Sequence, residues 1–329
     1  MAKRDRTREA LDRLAADLAD PQSKTAKAAL TKALGARTSL VAAAAIEHIA
    51  ELGLEGYGDG IRAAFQRAAT GAARNDPGCR VKMAAISALD QLHDIDEALL
   101  LEGVRCVQPE PAWGGPQDTA AGLRGMCAML LVERRHPGAM IELARLLADP
   151  QREARIAAAD AVAASGDVLS GLPLLVLRVR AGDPEPQVLG ACFSAMLSLA
   201  ADESFEFVAE YLRHADAGVA EAAAITLGQD RPEGAFEALR ELAEDCLGDR
   251  RRIAMLALAM LRSEDAWTYL IAQVADAVLG AASDAVEALA VYAELGDLEQ
   301  RVRAAVDARD DDERERLTAV VDARFSDLG

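Results

Sequence analysis

Aromatic side chains are scarce in this chain, at 4% of 329 residues with two tryptophans and four tyrosines. A core without large rings must be filled by many small aliphatic side chains, which favours close helix-on-helix packing. Long apolar runs are also missing: stretches such as Ile253 to Leu261 fall far short of the ~20 residues that span a bilayer. Behind the basic start, Lys3, Arg4, Arg6 and Arg8, there is no apolar core of a secretion signal, so a cytoplasmic protein without membrane contact is expected. The five cysteines (Cys79, Cys106, Cys127, Cys192 and Cys246) are odd in number and show no Cys-x-x-Cys spacing, so free thiols are expected rather than a disulfide framework or zinc ribbon. Whether Cys79, Cys106 and Cys127 meet in space is left open at this level.

Positive charge is short in the C-terminal half. Residues 1–180 hold 23 basic and 23 acidic side chains, whereas 181–329 hold 13 and 31, which accounts for the whole net charge of −18. A nucleic-acid backbone is therefore excluded as a partner of that half, since phosphate binding needs clustered Lys and Arg. Catalytic signatures are absent too. The four histidines are scattered, and no zinc spacing, phosphate-cradling glycine motif or nucleophile elbow occurs. No catalytic, cofactor-binding or metal-binding residues are assigned, and no cofactor is expected.

What the chain does have is a repeat. In Leu147 to Asp167, Asp149 can accept from the first free amides of a helix while Pro150 fills a position where a missing N–H costs nothing. From Arg155, the residues at +3, +6 and +7 are Ala158, Ala161 and Val162, a stripe on one helix face. Gly166 offers a left-handed stop, and Asp167 a cap for the next helix. The register of Arg155 recurs at Ala42, Lys82, Gly122, Leu189, Ala220, Arg251, Ala282 and Glu313, with intervals of 40, 40, 33, 34, 31, 31, 31 and 31 residues along the chain. A sustained period of that size predicts a helical solenoid.

The run Asp-Pro followed by a basic residue and small residues (Asp149, Pro150, Arg155, Ala158, Ala161; Asp76, Pro77, Lys82, Ala85, Ala88) resembles the short bacterial HEAT-like repeat, of the type found in bilin lyases. Gly122, Leu189, Ala220 and Ala282 replace the basic residue, so an Arg-to-Asp ladder should break there. The resemblance implies an all-α, right-handed α-solenoid. We expect about nine antiparallel helix pairs in a single domain over 1–329, with an N-terminal capping helix at 1–20, repeats at 21–309 and a C-terminal capping helix at 310–329. HEAT-like chains serve as scaffolds, adaptors and occasionally enzymes.

Both 40-residue intervals contain insertions, Gly71 to Gly78 and Val107 to Gln117, at the same point of adjacent repeats, so the two should lie side by side. The second, with Pro109, Pro111, Trp113, Gly114, Gly115 and Pro116, reads as an irregular loop. If +3 and +7 face the core, then +1, +5 and +8 face the inner surface. That places Met83, Leu123, Leu130, Ile156 and Leu197 on a concave, half-apolar strip, with Trp113 on the neighbouring edge. The expected function is a non-catalytic scaffold or adaptor that binds a protein or peptide there; the alternative is a bilin-lyase-type or modifying enzyme of the same fold. Oligomeric state is not legible.

Overall fold

The computed structural model describes residues 2–295, 297–310 and 312–326; positions 311 and 327–329 of the expected C-terminal cap lie outside them. The chain divides into two compact units, residues 1–165 and 166–329. Each is a row of helices joined by short turns.

The first unit runs α1 (Ala2–Asp17), α2 (Lys24–Leu34), α3 (Ser39–Glu51), α4 (Gly58–Ala69), α5 (Arg80–Gln91), α6 (Glu97–Val104), α7 (Ala121–Glu133), α8 (Ala139–Leu146) and α9 (Arg152–Ser165). Helices α3, α5, α7 and α9 pack in sequence to form one layer, while α4, α6 and α8 each lie against the next odd-numbered helix. Helix α1 rests on α2 and α3. The second unit repeats the plan with α10 (Val168–Ala181), α11 (Pro186–Leu199), α12 (Ala201–Glu210), α13 (Ala217–Asp230), α14 (Ala235–Asp245), α15 (Asp249–Met260), α16 (Glu264–Asp276), α17 (Leu279–Ala290), α18 (Leu298–Asp307) and α19 (Arg314–Ser326). Here α11, α13, α15, α17 and α19 pack successively. The all-α solenoid architecture is thus that of sequential helix pairs. Among the described residues, no helix is long and apolar enough to cross a membrane.

Local chemistry sets the helix ends. Asp96, Asp167, Asp216 and Ser263 each accept a hydrogen bond from the amide three residues on, satisfying a donor that has no partner within the helix. Gly166 has φ 64°, the left-handed stop its position required.

Burial follows one register through most of the layer helices. In α5 the buried residues are Val81, Lys82, Ala85, Ile86, Ala88 and Leu89; in α9 they are Ala154, Arg155, Ala158, Ala159, Ala161 and Val162. Counted from Lys82 or Arg155, both sets are −1, 0, +3, +4, +6 and +7, a face of two to three residues per turn. Helix α7 departs from the register expected for it. Its buried set includes Leu123, Arg124, Cys127, Ala128, Leu130 and Leu131, which fits the pattern when Arg124, not Gly122, is the reference. The basic residue expected to be missing here is present two positions later.

Arg124 also carries the ladder across this repeat. Its guanidinium is 2% exposed and donates to Asp118 at 2.7 Å, to Asp149 at 2.8 Å and to the Cys106 carbonyl at 2.8 Å. In the second unit Arg251 of α15 reaches Asp284 of α17 at 2.8 Å. The buried Arg309 donates to the carbonyls of Val274, Ala275 and Ala277, closing the end of α16.

Candidate functional site

The two insertions meet. The first passes through Asp76, which is fully buried and accepts from the amides of Val81 (2.7 Å) and Lys82 (3.2 Å). It caps α5 as the Asp-Pro motif required. A carboxylate with no solvent needs a counter-charge, and Lys82 supplies it at 3.1 Å, itself fully buried. The second acceptor for the ammonium is Gln108 Oε1 at 2.6 Å, from the other insertion. Lysine only donates, so the Gln108 amide must turn its oxygen inward. Its Nε2 then donates to the Asp76 carbonyl (2.7 Å) and to Glu110 Oε1 (2.8 Å). Glu110 Oε1 also accepts from Gly78 N and Thr119 Oγ1, both at 2.6 Å. An unpaired charge here would cost several kcal/mol, about 3–5 when one partner of a buried pair is removed. Every named member of this network has a partner, the condition under which buried polar groups rigidify rather than destabilise.

The stretch expected as an irregular loop is a β-hairpin on this base. Strand β1 (Pro109–Ala112) pairs antiparallel with β2 (Gly115–Asp118), with Pro109 opposite Asp118 and Ala112 opposite Gly115. Its two-residue turn is Trp113-Gly114, and the φ values of 96° at Gly114 and 127° at Gly115 call for glycine. Prolines do not prevent the pairing. Pro111 and Pro116 face each other, so they occupy a non-hydrogen-bonded pair, where neither needs an N–H. At the foot, Asp118 accepts from the amides of Gln108 (2.8 Å) and Ala120 (3.0 Å) as well as from Arg124. Burial alone would raise the Asp118 pKa; those donors outweigh it and hold the carboxyl below its usual range.

Trp113 stands at the tip with its side chain fully exposed, at 106%. Ala112 beside it is exposed, as are Pro111 and Pro116 along the hairpin and Val107 and Pro109 towards its foot. The other residues expected on an inner strip divide. Met83 and Ile156 are half-buried, and a Cβ added at Gly122 would touch Met83 Cε at 3.7 Å. Leu123 is fully buried, and Leu130 and, in the second unit, Leu197 are buried; the core claims them and they offer no wall to a partner. For Leu123 and Leu130 the cause is the two-residue register shift of α7, which moves both into the buried stripe and sets Leu123 against α6. There a Cβ at Gly103 would lie 2.4 Å from Cys127 Sγ and 3.9 Å from Leu123 Cδ1.

Three cysteines border the same base. Cys79 is fully buried at the start of α5, in the left-handed region at φ 54°, directly after Gly78 at φ 71°. For a residue with a Cβ that conformation costs about 1–2 kcal/mol. Its sulfur lies 3.9 Å from Thr119 Oγ1, and its pKa is raised first by the neighbouring Cys106 and then by burial. The half-buried Cys106 is lowered to about 7, first by Cys79; Lys82 and Arg124 favour its thiolate, against burial and the charge of Asp118. Burial, with the neighbouring Cys106, pushes Cys127 up to about 12. All five cysteines are free. The sequence left open whether Cys79, Cys106 and Cys127 meet. The available signal was the pair of insertions, each carrying one cysteine at its border.

No family model matches the chain, and no curated protein matches it. Among solved structures it is similar to the complex of CpcE and CpcF of phycocyanin lyase from Nostoc sp., at 16% identity and a TM-score of 0.36, covering 88% of this chain and 97% of that one. It is likewise similar to an engineered protein, at 17% identity and a TM-score of 0.37, covering 96% of this chain and 99% of that one.

Proposed function

We propose that the chain is a non-catalytic protein-binding scaffold and that the Trp113 hairpin is its anchor. One observation carries this reading: a fully exposed indole at the tip of a hairpin whose base is fixed by a buried ionic network. Exposed tryptophans on loose loops lose most of their contact energy to ordering. Here the base of the hairpin is fixed before binding, and an aromatic anchor entering a pocket contributes more than about 2 kcal/mol. The surrounding prolines, Val107 and Ala112 bear no charge, so the matching partner is a protein with an apolar cleft. Met83 and Ile156 are the remaining half-exposed apolar positions for secondary contacts.

Affinity capture from the native cell, followed by titration of the captured protein, tests the proposal. A stoichiometric protein should bind the parent and bind Trp113→Ala about 30-fold more weakly, the equivalent of ~2 kcal/mol. Equal affinity of the two would reject the anchor. A recurrent small-molecule adduct without a protein partner would favour the enzyme reading instead.

A further inference from the structure

The net charge of −18 conceals a region of the opposite sign. Residues 21–46 and 60–75 hold seven basic side chains and no acidic one. These stretches include α2, most of α3 and most of α4, and between them lies a cavity of about 310 Å³. Ala42, Ala64, Ala68 and Val81 line it and are buried, so they form its floor. Arg37, Ser39, Arg67 and Asn75 line it and reach solvent, so they form its rim. Among the described residues no carboxylate lines this cavity, whereas two grooves of the second unit are lined by four and five. Both rim arginines keep their charge available. Arg67 donates to the Leu34 carbonyl at the end of α2 and meets no carboxylate, a bond that fixes the guanidinium without neutralising it. Arg37 has no hydrogen-bond or ion-pair partner among the described residues. By contrast Arg62, also of α4, is held by Asp59, Asp94 and Asp96. The acidic residue closest to the floor along the chain is Asp76, which accepts from the Val81 amide at 2.7 Å and is balanced by Lys82 at 3.1 Å.

We propose that this cavity binds a small phosphate monoester, with the phosphoryl group between Arg37 and Arg67 and the organic part on the alanine and valine floor. Two guanidiniums match the charge of a dianion, and each can offer a planar pair of N–H donors to the phosphoryl oxygens. A carboxylate carries half that charge and leaves one guanidinium unmatched. The volume stands at the lower end of small-molecule sites, roughly 300–1,000 Å³, which suits a metabolite-sized ligand and excludes a folded partner. Ser39 adds a hydroxyl at the first position of α3, whose N-cap Thr38 makes no side-chain hydrogen bond to the helix. None of the lining residues belongs to the hairpin, so the site is independent of the Trp113 anchor.

Isothermal titration calorimetry of the full chain, in phosphate-free buffer at low salt, tests the proposal with phenyl phosphate, inorganic phosphate and benzoate as probes. The expected result is one site per chain, with phenyl phosphate the tightest, inorganic phosphate weaker for want of floor contacts, and benzoate the weakest. Arg37→Gln and Arg67→Gln should each weaken phenyl phosphate by about tenfold or more, the loss of a charge-assisted donor pair. Arg13→Gln, at an exposed position of α1, should bind as the parent does and so separates a site from general attraction to arginine. Arg37 makes no bond within the fold, so a loss in its variant cannot come from unfolding, and circular dichroism checks the Arg67 variant. Absence of phenyl phosphate binding would overturn the proposal, as would equal affinity of Arg37→Gln and the parent. So would inorganic phosphate or benzoate binding as tightly as phenyl phosphate, or an Arg13→Gln loss as large as that of Arg37→Gln.

Discussion

The ammonium of Lys82 lies 2.6 Å from the side-chain oxygen of Gln108, and both residues are fully buried although they belong to different repeats, 26 positions apart. This contact makes the hairpin part of the folded body instead of an appendage. Lys82→Met should therefore destabilise the chain by about 3–5 kcal/mol, because it leaves the Asp76 carboxylate buried without its counter-charge. The double variant Asp76→Asn with Lys82→Met removes both charges and keeps an oxygen for the Val81 amide, so it should lose clearly less. Urea unfolding followed by circular dichroism compares the three proteins. A single variant as stable as the parent would show that the pair is not a clamp.

The fold was legible because burial in a helix layer imposes a period that small side chains do not blur. The Asp-Pro motif located the starts of α5 and α9, and the stop at Gly166 and cap at Asp167 were met. The error in α7 has a physical origin. Apolar residues occupy Leu123, Cys127 and Leu130 as well as Gly125 and Met129, so hydrophobicity admits two registers. The buried cation decides between them, and the interval from Arg124 to Arg155 is 31 residues, the same as the later repeats. The hairpin was not legible, since three prolines argue against strands unless the pairing sets them at positions that need no donor. Nor was the network, because a lysine at 0% exposure is indistinguishable in sequence from one in solvent.

The exposed position of Trp113 has an optical consequence that needs no partner. Trp267 is only half-exposed, whereas Trp113 projects into solvent. Iodide should quench the Trp113 part of the emission readily, and Trp113→Phe should leave a residual, blue-shifted signal with much lower quenching. Unchanged quenching in the variant would mean that the hairpin tip is covered.

Acid should weaken the first unit through identifiable carboxylates. Glu142 is buried and bonded by Arg105 and by Arg145 at 2.7 Å, which together hold its pKa below the usual value; the Arg105 hydrogen bond is the main cause. Asp118 is lowered as well. A carboxyl whose folded pKa is depressed contributes stability that is present above its unfolded value and is lost as pH falls through the folded one. Urea midpoints measured from pH ~5 down to ~2 should therefore decline, and Glu142→Gln should show a shallower decline. Parallel lines for the two proteins would remove Glu142 from the account.

Two glycines in the second unit should respond in opposite directions to the same substitution. Gly228 lies in α13 where an added Cβ would stand 2.6 Å from the Ala257 carbonyl oxygen and 3.0 Å from the Ala257 Cα in α15. Both are backbone atoms, so relief requires the helices to separate along a layer whose other contacts are already close. Gly190 in α11 has a different setting. Its added Cβ would meet Ala222 Cβ at 3.6 Å and Thr226 Oγ1 at 3.9 Å, ordinary packing distances. Alanine there gains helix propensity of up to about 1 kcal/mol without a clash. At Gly228 the same gain is outweighed by overpacking, typically a loss of about 1–3 kcal/mol. Thermal unfolding should therefore place Gly190→Ala above the parent and Gly228→Ala below it. If Gly228→Ala were as stable as Gly190→Ala, the close approach of α13 to α15 would be wrong, and with it the small-residue packing that lets so aromatic-poor a chain form its layer.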